Sequence, residues 1–448
     1  MSVDHSPIAL RERATHRHAR KHSSPNGTSP RFDFDIAIVG LGYVGLPTAL
    51  AHVHSGKRIL GFEASSARVQ AIKNHEVDLL PSDQQRLTEA LEGENFELTL
   101  DPALLATAES VVICVPTPID ENAIPDLSIL RSACETVVNH AVPGQILIAT
   151  STTYAGCTQD FLVKPLQDRG FTVGKNIFVA FSPERINPGV ADFAIEDVPR
   201  VVGGFDQACQ EKAAEVVGGY GGSIHAVDSL EVAEMSKLME NTFRAVNIAM
   251  ANEFAEACRV LGLSVQDVIE AADSKPFGFM KFMPGPGVGG HCIPCDPHYL
   301  LWRMRKEHVR LPVIEQAMNS IAQRPTAAVE RCGQLLAERG IALKDANVVV
   351  VGLSYKPDVA DLRESPALQI MERLSSLAGR TTYVDRFFPD QVINNGREFV
   401  HFHEPVHGTP DLVFLNTVHR GTDLSWIPES AVVLDATYTH SKPNVYPL

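Results

Sequence analysis

No stretch of the 448 residues approaches the ~18 consecutive apolar positions that a membrane-spanning helix requires; every hydrophobic run is short and cut by Gly, Pro or charge. No membrane is expected as a partner. Disulfide-scaffold spacing is also missing: the eight cysteines (Cys114, Cys134, Cys157, Cys209, Cys258, Cys292, Cys295 and Cys332) are scattered through apolar or helical contexts, with no signal peptide before them. A reducing, cytoplasmic location is expected. The single CxxC, Cys292 to Cys295, lacks a second pair at metal-ligand spacing, which argues against zinc, and no metal is expected. Positive charge is in deficit, 39 Lys and Arg against 54 Asp and Glu, for a formal net charge of -15. Nucleic acid is therefore not an expected partner, and any phosphate ligand must be caught by local basic groups and backbone donors. Residues 1–33 carry His, Arg, Lys, Ser, Pro and Gly with hardly any apolar content, and are expected to be a disordered tail.

What is present is enough apolar material, 44% of the residues, for a large core, and a length that predicts two or three domains. Short β-branched strands alternate with helical stretches from residue 34, at 36–39, 58–62, 111–115, 146–149 and 177–180. Residues 229–261 then show helical periodicity without Pro and stop at Gly262, one long helix suited to a spine between domains. After a Gly/Pro-rich loop over 284–297, helices resume through about Arg339, and a second βα series begins at 347–351, with strands at 382–384, 411–415 and 432–434. The expected class is α/β, with two Rossmann-like parallel-sheet domains (34–226 and 323–448) joined by a long central helix within a helical middle domain (227–322). The two halves show no clear residue-level repeat.

The first strand runs into Gly40, Leu41, Gly42, Tyr43, Val44 and Gly45, a GxGxxG turn opening a helix. Gly40 allows the tight turn, Gly42 lets backbone approach a pyrophosphate, and Gly45 permits close helix packing, with the helix N-terminus meeting phosphate charge. The motif alone is weak, and a glycine turn with no ligand is the plain alternative. Glu63, at the end of the next strand, strengthens it: a carboxylate there holds both ribose hydroxyls and favours NAD over NADP. Arg68 either contacts the adenosine or faces solvent. Pro116, Thr117, Ser151 and Thr152 follow later strands, where the carboxyl ends of a parallel sheet converge on a ligand.

In GVGGHCIPCDP, Cys292 follows Gly289 and Gly290, with His291 and Asp296 nearby. A thiolate becomes a nucleophile when neighbours lower its pKa, and this cysteine has a flexible, non-core setting, whereas Cys114, Cys134 and Cys258 read as buried small hydrophobes. Cys295 reads as apolar filler. Lys237 and Asn241, four apart, share a face of the long helix, with Glu234 one turn earlier. They are either an ordinary polar stripe or, among Met235, Leu238, Met239 and Phe243, a partly buried pair able to stabilise an oxyanion. SPERINPG, residues 182–189, puts Glu184 at a strand end as a candidate base.

The segments GLGYVGLP, VPTP, STTYAG, SPERINPG, AEMSKLMENTFRAVNIAMANE, KPFGF, PGPGVGGHCIPCDPHYL and YKPDVADLRESPAL resemble the UDP-glucose/UDP-N-acetylmannosamine dehydrogenase family. The resemblance is greatest to its UDP-N-acetylhexosamine 6-dehydrogenase branch. It implies an NAD-binding domain, a central helix that makes a homodimer, a UDP-binding C-terminal domain and a UDP-sugar substrate. Residue by residue it implies Cys292 as nucleophile, Lys237 and Asn241 as oxyanion pair, Asp296 as nearby carboxylate, Thr152 as water holder, Glu184 in acid/base work and Lys356 on phosphate. Glu184, Arg185, Lys237 and Asn241 would also face the substrate. Phe277, Gly278, Phe279 and Gly289 fall in the loop resembling the uracil and ribose cradle, and Arg363 falls near the cofactor.

The implied reaction is a four-electron oxidation at C6 through a thiohemiacetal and a thioester on Cys292, so that the aldehyde never leaves. The pattern departs from the family in places. Pro188 stands where UDP-glucose dehydrogenases carry a second glutamate, which fits the acetamido branch and leaves the hydrolytic base open; Thr150, Lys281, Met283 and Cys295 are also atypical. A UDP-glucose 6-dehydrogenase and a noncatalytic nucleotide-sugar sensor are the rival readings. Cys292, Lys237, Asn241 and Asp296 together argue against the sensor.

Overall fold

The computed structural model describes residues 32–77, 79, 81–120, 122–185, 197–219, 221–290, 292–440 and 443–448. The expected tail falls outside them through residue 31, as do Pro188 and His291. Ordered backbone begins slightly earlier than expected, since the Asp33 N–H donates to the Thr107 carbonyl at 2.8 Å.

Strands that are apolar on both faces need cover on both sides, and in the first half helices provide it. Strands β1 (Phe34–Val39), β2 (Ile59–Phe62), β3 (Phe96–Thr99), β4 (Ala108–Ile113), β5 (Ile146–Ala149), β6 (Phe178–Phe181), β7 (Arg200–Gly204) and β8 (Ile224–Val227) form one sheet. Their order is β3-β2-β1-β4-β5-β6-β7-β8, parallel throughout except between β6 and β7. The order reverses between β1 and β4, the switch point at which such sheets take ligands. β4 is shifted from the expected 111–115 and stops at Ile113, because the Val115 N–H turns to the Ser151 hydroxyl (3.0 Å) instead of a neighbouring strand. β6 lies one residue later than expected.

The long helix spans Leu230–Leu261, about 48 Å at 1.5 Å per residue. The Ser229 hydroxyl caps it by accepting from the Val232 N–H, and Gly262, at φ 69°, ends it in the left-handed conformation. Its buried stripe includes Glu234, Lys237, Asn241, Ala245, Ala249 and Asn252. A second helix, Pro312–Glu338, packs against it and runs unbroken through residue 322, where the middle and last domains were expected to meet.

The last third forms β9 (Asn347–Val351), β10 (Arg380–Val384), a short hairpin of β11 (Val392–Asn394) and β12 (Arg397–Phe399), then β13 (Leu412–Leu415), β14 (Val432–Asp435) and β15 (Val445–Pro447). The second sheet is parallel, in the order β10-β9-β13-β14-β15. Among the described residues, no helix is long and apolar enough to cross a membrane.

Candidate active site

The turn after β1 is built for close packing on one side and open approach on the other. A Cβ on Gly45 would lie 1.8 Å from the Gly40 carbonyl oxygen, and one on Gly40, itself at φ 90°, 2.7 Å from that of Cys114. A Cβ on Gly42 would meet nothing within 4 Å, so that backbone is free to receive a ligand. Glu63 lies beside the turn: one carboxylate oxygen accepts from the Leu41 N–H (2.9 Å), the other from the Ser65 N–H (3.0 Å). Arg68 does not simply face solvent, because its Nε donates to the Leu41 carbonyl (3.0 Å). Open glycine backbone, a helix N-terminus at Gly45 and a fixed carboxylate fit a dinucleotide with free ribose hydroxyls.

Hydroxyls stitch together the strand ends next to this turn. The Ser151 hydroxyl donates to the Val115 carbonyl (2.7 Å), and the Thr117 hydroxyl to the Thr152 carbonyl (2.8 Å). Pro116 is exposed between them, and Thr152 is half-buried. Glu184, just past β6, is ion-paired with Arg200 of β7 at 2.9 Å, both side chains largely buried. Arg185 is occupied elsewhere, bridged to Glu240 of the central helix and donating to the Pro199 carbonyl at 3.0 Å.

Cys292 is exposed while the other seven cysteines are buried, and all eight are free. Its carbonyl accepts from the N–H groups of Cys295 (3.2 Å) and Asp296 (2.9 Å), tying it to the first turn of the helix Asp296–Lys306. The surroundings do not lower its pKa as expected. Desolvation raises it and Asp296 adds to the rise, while Lys237, Arg244 and Arg363 pull it down without prevailing. Lys237 and Asn241 are buried, so they are not an exposed stripe. The Asn241 amide donates to the Asp296 carboxylate. Lys237 makes no hydrogen bond or ion pair within bonding distance among the described residues, and its ammonium, on a buried stem, acts through space on both Cys292 and Asp296. Burial lifts Asp296 to about 6, against the opposing pull of Lys237 and the Asn241 hydrogen bond.

The second sheet closes on the same place. Arg363 is held by Asp361 (2.6 Å) and lies 4.0 Å over the Tyr43 ring, and its carbonyl accepts from the Gly290 N–H at 3.0 Å. Gly289 is needed for packing: a Cβ there would lie 2.4 Å from Tyr355 Cβ. Lys356 is half-buried, and desolvation followed by the charge of Arg244 lowers its pKa. Phe277 and Phe279 are exposed around Gly278, which has φ 69°.

Sequence reasoning missed four residues. Arg244, two turns after Lys237, feels both Cys292 and Lys356, and helical spacing alone would have flagged it. Glu234 was noted only for its position; its buried carboxylate accepts from the N–H groups of Gly156 and Thr158 and from the Thr158 hydroxyl. Arg200 and Tyr299 have partners distant in sequence and gave no local signal.

A reachable thiol between two nucleotide-type sheets, with a buried ammonium beside it, suits an oxidoreductase that holds a dinucleotide on one side and a nucleotide-linked substrate on the other. Residues 34–218 match the NAD binding domain of the UDP-glucose/GDP-mannose dehydrogenase family, residues 231–321 its central domain and residues 349–439 its UDP binding domain. The chain belongs to that family and is an NAD-dependent nucleotide-sugar dehydrogenase. UDP-N-acetyl-D-mannosamine dehydrogenase of Methanocaldococcus jannaschii is 34% identical over 362 residues, 79% of this chain and 80% of that protein. UDP-N-acetyl-D-glucosamine 6-dehydrogenase of Pseudomonas aeruginosa is 31% identical over 395 residues, 86% of this chain and 91% of that one. The solved UDP-D-ManNAc dehydrogenase of Pyrococcus horikoshii superposes with a TM-score of 0.84 at 30% identity, covering 92% of this chain and 98% of that one.

Proposed function

We propose that the chain oxidises the C6 hydroxyl of a UDP-N-acetylhexosamine to the carboxylate, with Cys292 holding the carbon between two oxidations. The grouping of exposed Cys292 with buried Lys237, Asn241 and Asp296 carries this reading. The names of the two relatives above, both acting on UDP-N-acetylhexosamines, support the substrate class.

Bound NAD supplies the hydride acceptor for each oxidation. Gly40, Gly42, Tyr43, Val44, Gly45, Glu63 and Arg68 would hold its adenosine and pyrophosphate side, with Pro116, Thr117, Ser151 and Arg363 nearer the nicotinamide. Once the alcohol has become an aldehyde, the Cys292 thiol gives up its proton to water as its sulfur bonds to the carbonyl carbon, and the carbonyl oxygen becomes an alkoxide. Lys237 and Asn241 stabilise that charge, Lys237 most strongly because its ammonium is a full charge with no protein partner to release. The second oxidation leaves a thioester. Water then adds to its carbonyl, the carbon–sulfur bond breaks, and the thiol returns with a proton as the uronate departs. Thr152, Glu184 and Asp296 would hold or activate that water, and Lys356 with Arg244 would give the diphosphate a basic neighbourhood.

Purified protein assayed on the UDP-linked forms of N-acetylglucosamine, N-acetylmannosamine, N-acetylgalactosamine and glucose should turn over an acetamido sugar fastest, with two NADH per uronate. One NADH and free aldehyde as the final product would remove the thioester route, and a clear preference for UDP-glucose would remove the substrate class.

The central helix also supports a homodimer. Met239, Phe243, Met250 and Phe254 are exposed on it at helical spacing, an apolar face that a second copy would cover. Light scattering should give a dimer, and Phe254→Glu should shift it toward monomer; an unchanged dimer would place the interface elsewhere.

A further inference from the structure

We infer that Tyr299 is a positioning residue that holds the Cys292 loop against the strand ends of the first sheet, and so keeps the aldehyde stage from escaping between the two oxidations. The inference rests on the reading of Cys292 as the carbon's covalent holder.

Tyr299 is completely buried on the helix Asp296–Lys306, and its hydroxyl donates to the Thr117 carbonyl at 3.1 Å. Burial raises the phenol pKa above its ordinary value, so the group remains a donor across the working range. Thr117 in turn donates to the Thr152 carbonyl, and Ser151 both donates to and accepts from the Val115 backbone, so the ends of β4 and β5 behave as one unit. At the start of the same helix, the Asp296 N–H donates to the Cys292 carbonyl. The nucleophile is thus linked to the nicotinamide side by a short run of bonds passing through the Tyr299 hydroxyl. On its other side the loop is held by the second sheet, through the Gly290 N–H on the Arg363 carbonyl at 3.0 Å. Without the phenol bond, the loop keeps its ties to the central helix, through Asn241 and Asp296, and to the second sheet, but loses its hydrogen bond through Tyr299 to the strand ends of the first.

The chemistry makes this placement matter. The same carbon must be presented for oxidation twice, and the sulfur must reach it after the first oxidation and before release. Misplacement of a reacting group by about 1 Å costs on the order of 100-fold in rate. A sulfur that arrives late gives the aldehyde time to leave.

The test compares Tyr299→Phe with Tyr383→Phe, which likewise removes a phenol hydroxyl, one donating to the Phe388 carbonyl (3.0 Å) in the second sheet domain. Three quantities are read: NADH per uronate, aldehyde trapped by a hydrazide, and the iodoacetamide alkylation rate at Cys292 in protein without substrate or cofactor, located by mass spectrometry. For Tyr299→Phe, NADH per uronate should rise above two with aldehyde trapped, and alkylation should speed up by about threefold or more as the loop loosens, while both KM values stay within about twofold. Tyr383→Phe should match the parent protein in all three. If Tyr299→Phe keeps two NADH per uronate and the parent's alkylation rate, the inference is overturned. Should that variant not fold, Thr117→Val breaks the next bond in the same run and is judged by the alkylation rate at Cys292 alone, since Thr117 also faces the cofactor: a rate about threefold or more above the parent's supports the inference, and the parent's rate overturns it. A parent protein that itself yields one NADH overturns the thioester reading instead, and the alkylation rate alone then decides the role of Tyr299.

Discussion

The Asn241 amide donates to the buried Asp296 carboxylate, joining the central helix to the first turn of the helix that follows Cys292. Because burial lifts Asp296 to about 6, this group changes charge inside the ordinary assay range. The ionised form is the one that can take a proton from water, so it fills as pH rises. The rate of uronate formation should therefore fall on the acid side with an apparent pKa near 6, and Asp296→Asn should remove that limb and lower kcat by roughly 100-fold. A kcat profile from pH 5 to 9 that keeps its limb in the variant would move the role to another group.

Lys237 presents the opposite case, a charge on a buried stem with no partner within bonding distance among the described residues. Its ammonium is left available for negative charge that develops in the site. Lys237→Met should lower kcat by about 100- to 1000-fold, leave the UDP-sugar KM within a few-fold and not lower the melting temperature. An equal loss in kcat and binding would make the lysine a simple substrate contact.

Glu63 tests the cofactor side. Both of its oxygens already order the glycine turn through the Leu41 and Ser65 N–H groups, while their remaining lone pairs suit ribose hydroxyls. Glu63→Gln should reduce the preference for NAD over NADP, measured as the ratio of kcat/KM values, by about tenfold or more. An unchanged ratio would show that selectivity comes from elsewhere in the turn.

The parallel sheets, the capped central helix and the glycine turn were legible in the sequence because each has a local signature: apolar strand runs, Ser229 and Gly262 at the helix ends, and Glu63 following GxGxxG. Strands β3, β7 and β8 (FELT, RVVGG and IHAV) were not, since short strands with exposed or glycine positions look like loops. The two halves share no residue-level repeat along their length, but their first turns are alike. Gly40-Leu41-Gly42-Tyr43 and Gly352-Leu353-Ser354-Tyr355 occupy the same turn after the first strand of each sheet, with φ 90° at Gly40 and 84° at Gly352. Asp385, after β10, accepts from the Leu353 N–H (2.7 Å) much as Glu63 accepts from Leu41. Three matching residues in four positions are too few to see until the two sheets align them.

The site divides the same way. Cys292, Lys237, Asn241 and Asp296 were found because a glycine loop and helical spacing are sequence features, but the Cys292 pKa was misjudged. Its outcome depends on desolvation by surrounding chain, which no motif encodes. Glu234 and Tyr299 were not given their roles because their partners lie 78 or 76 and 182 residues away.

Glu234 gives a prediction about stability rather than turnover. Burial raises its pKa to about 7, despite three hydrogen bonds that favour the anion. The folded chain thus holds this proton more tightly than the unfolded chain, whose glutamate titrates near 4.3. That contribution to stability is complete below about pH 4 and is lost as pH rises through 7. Asp296 acts in the same direction but is nearly spent above 6, so the decline between pH 6 and pH 7.5, about 1 kcal/mol, belongs mainly to Glu234. Glu234→Gln cannot ionise and should flatten the unfolding free energy over that interval while leaving the activity limb near pH 6 in place. If the variant loses stability between those two pH values as steeply as the parent, the carboxylate is already ionised at pH 6, and its three donors outweigh its burial.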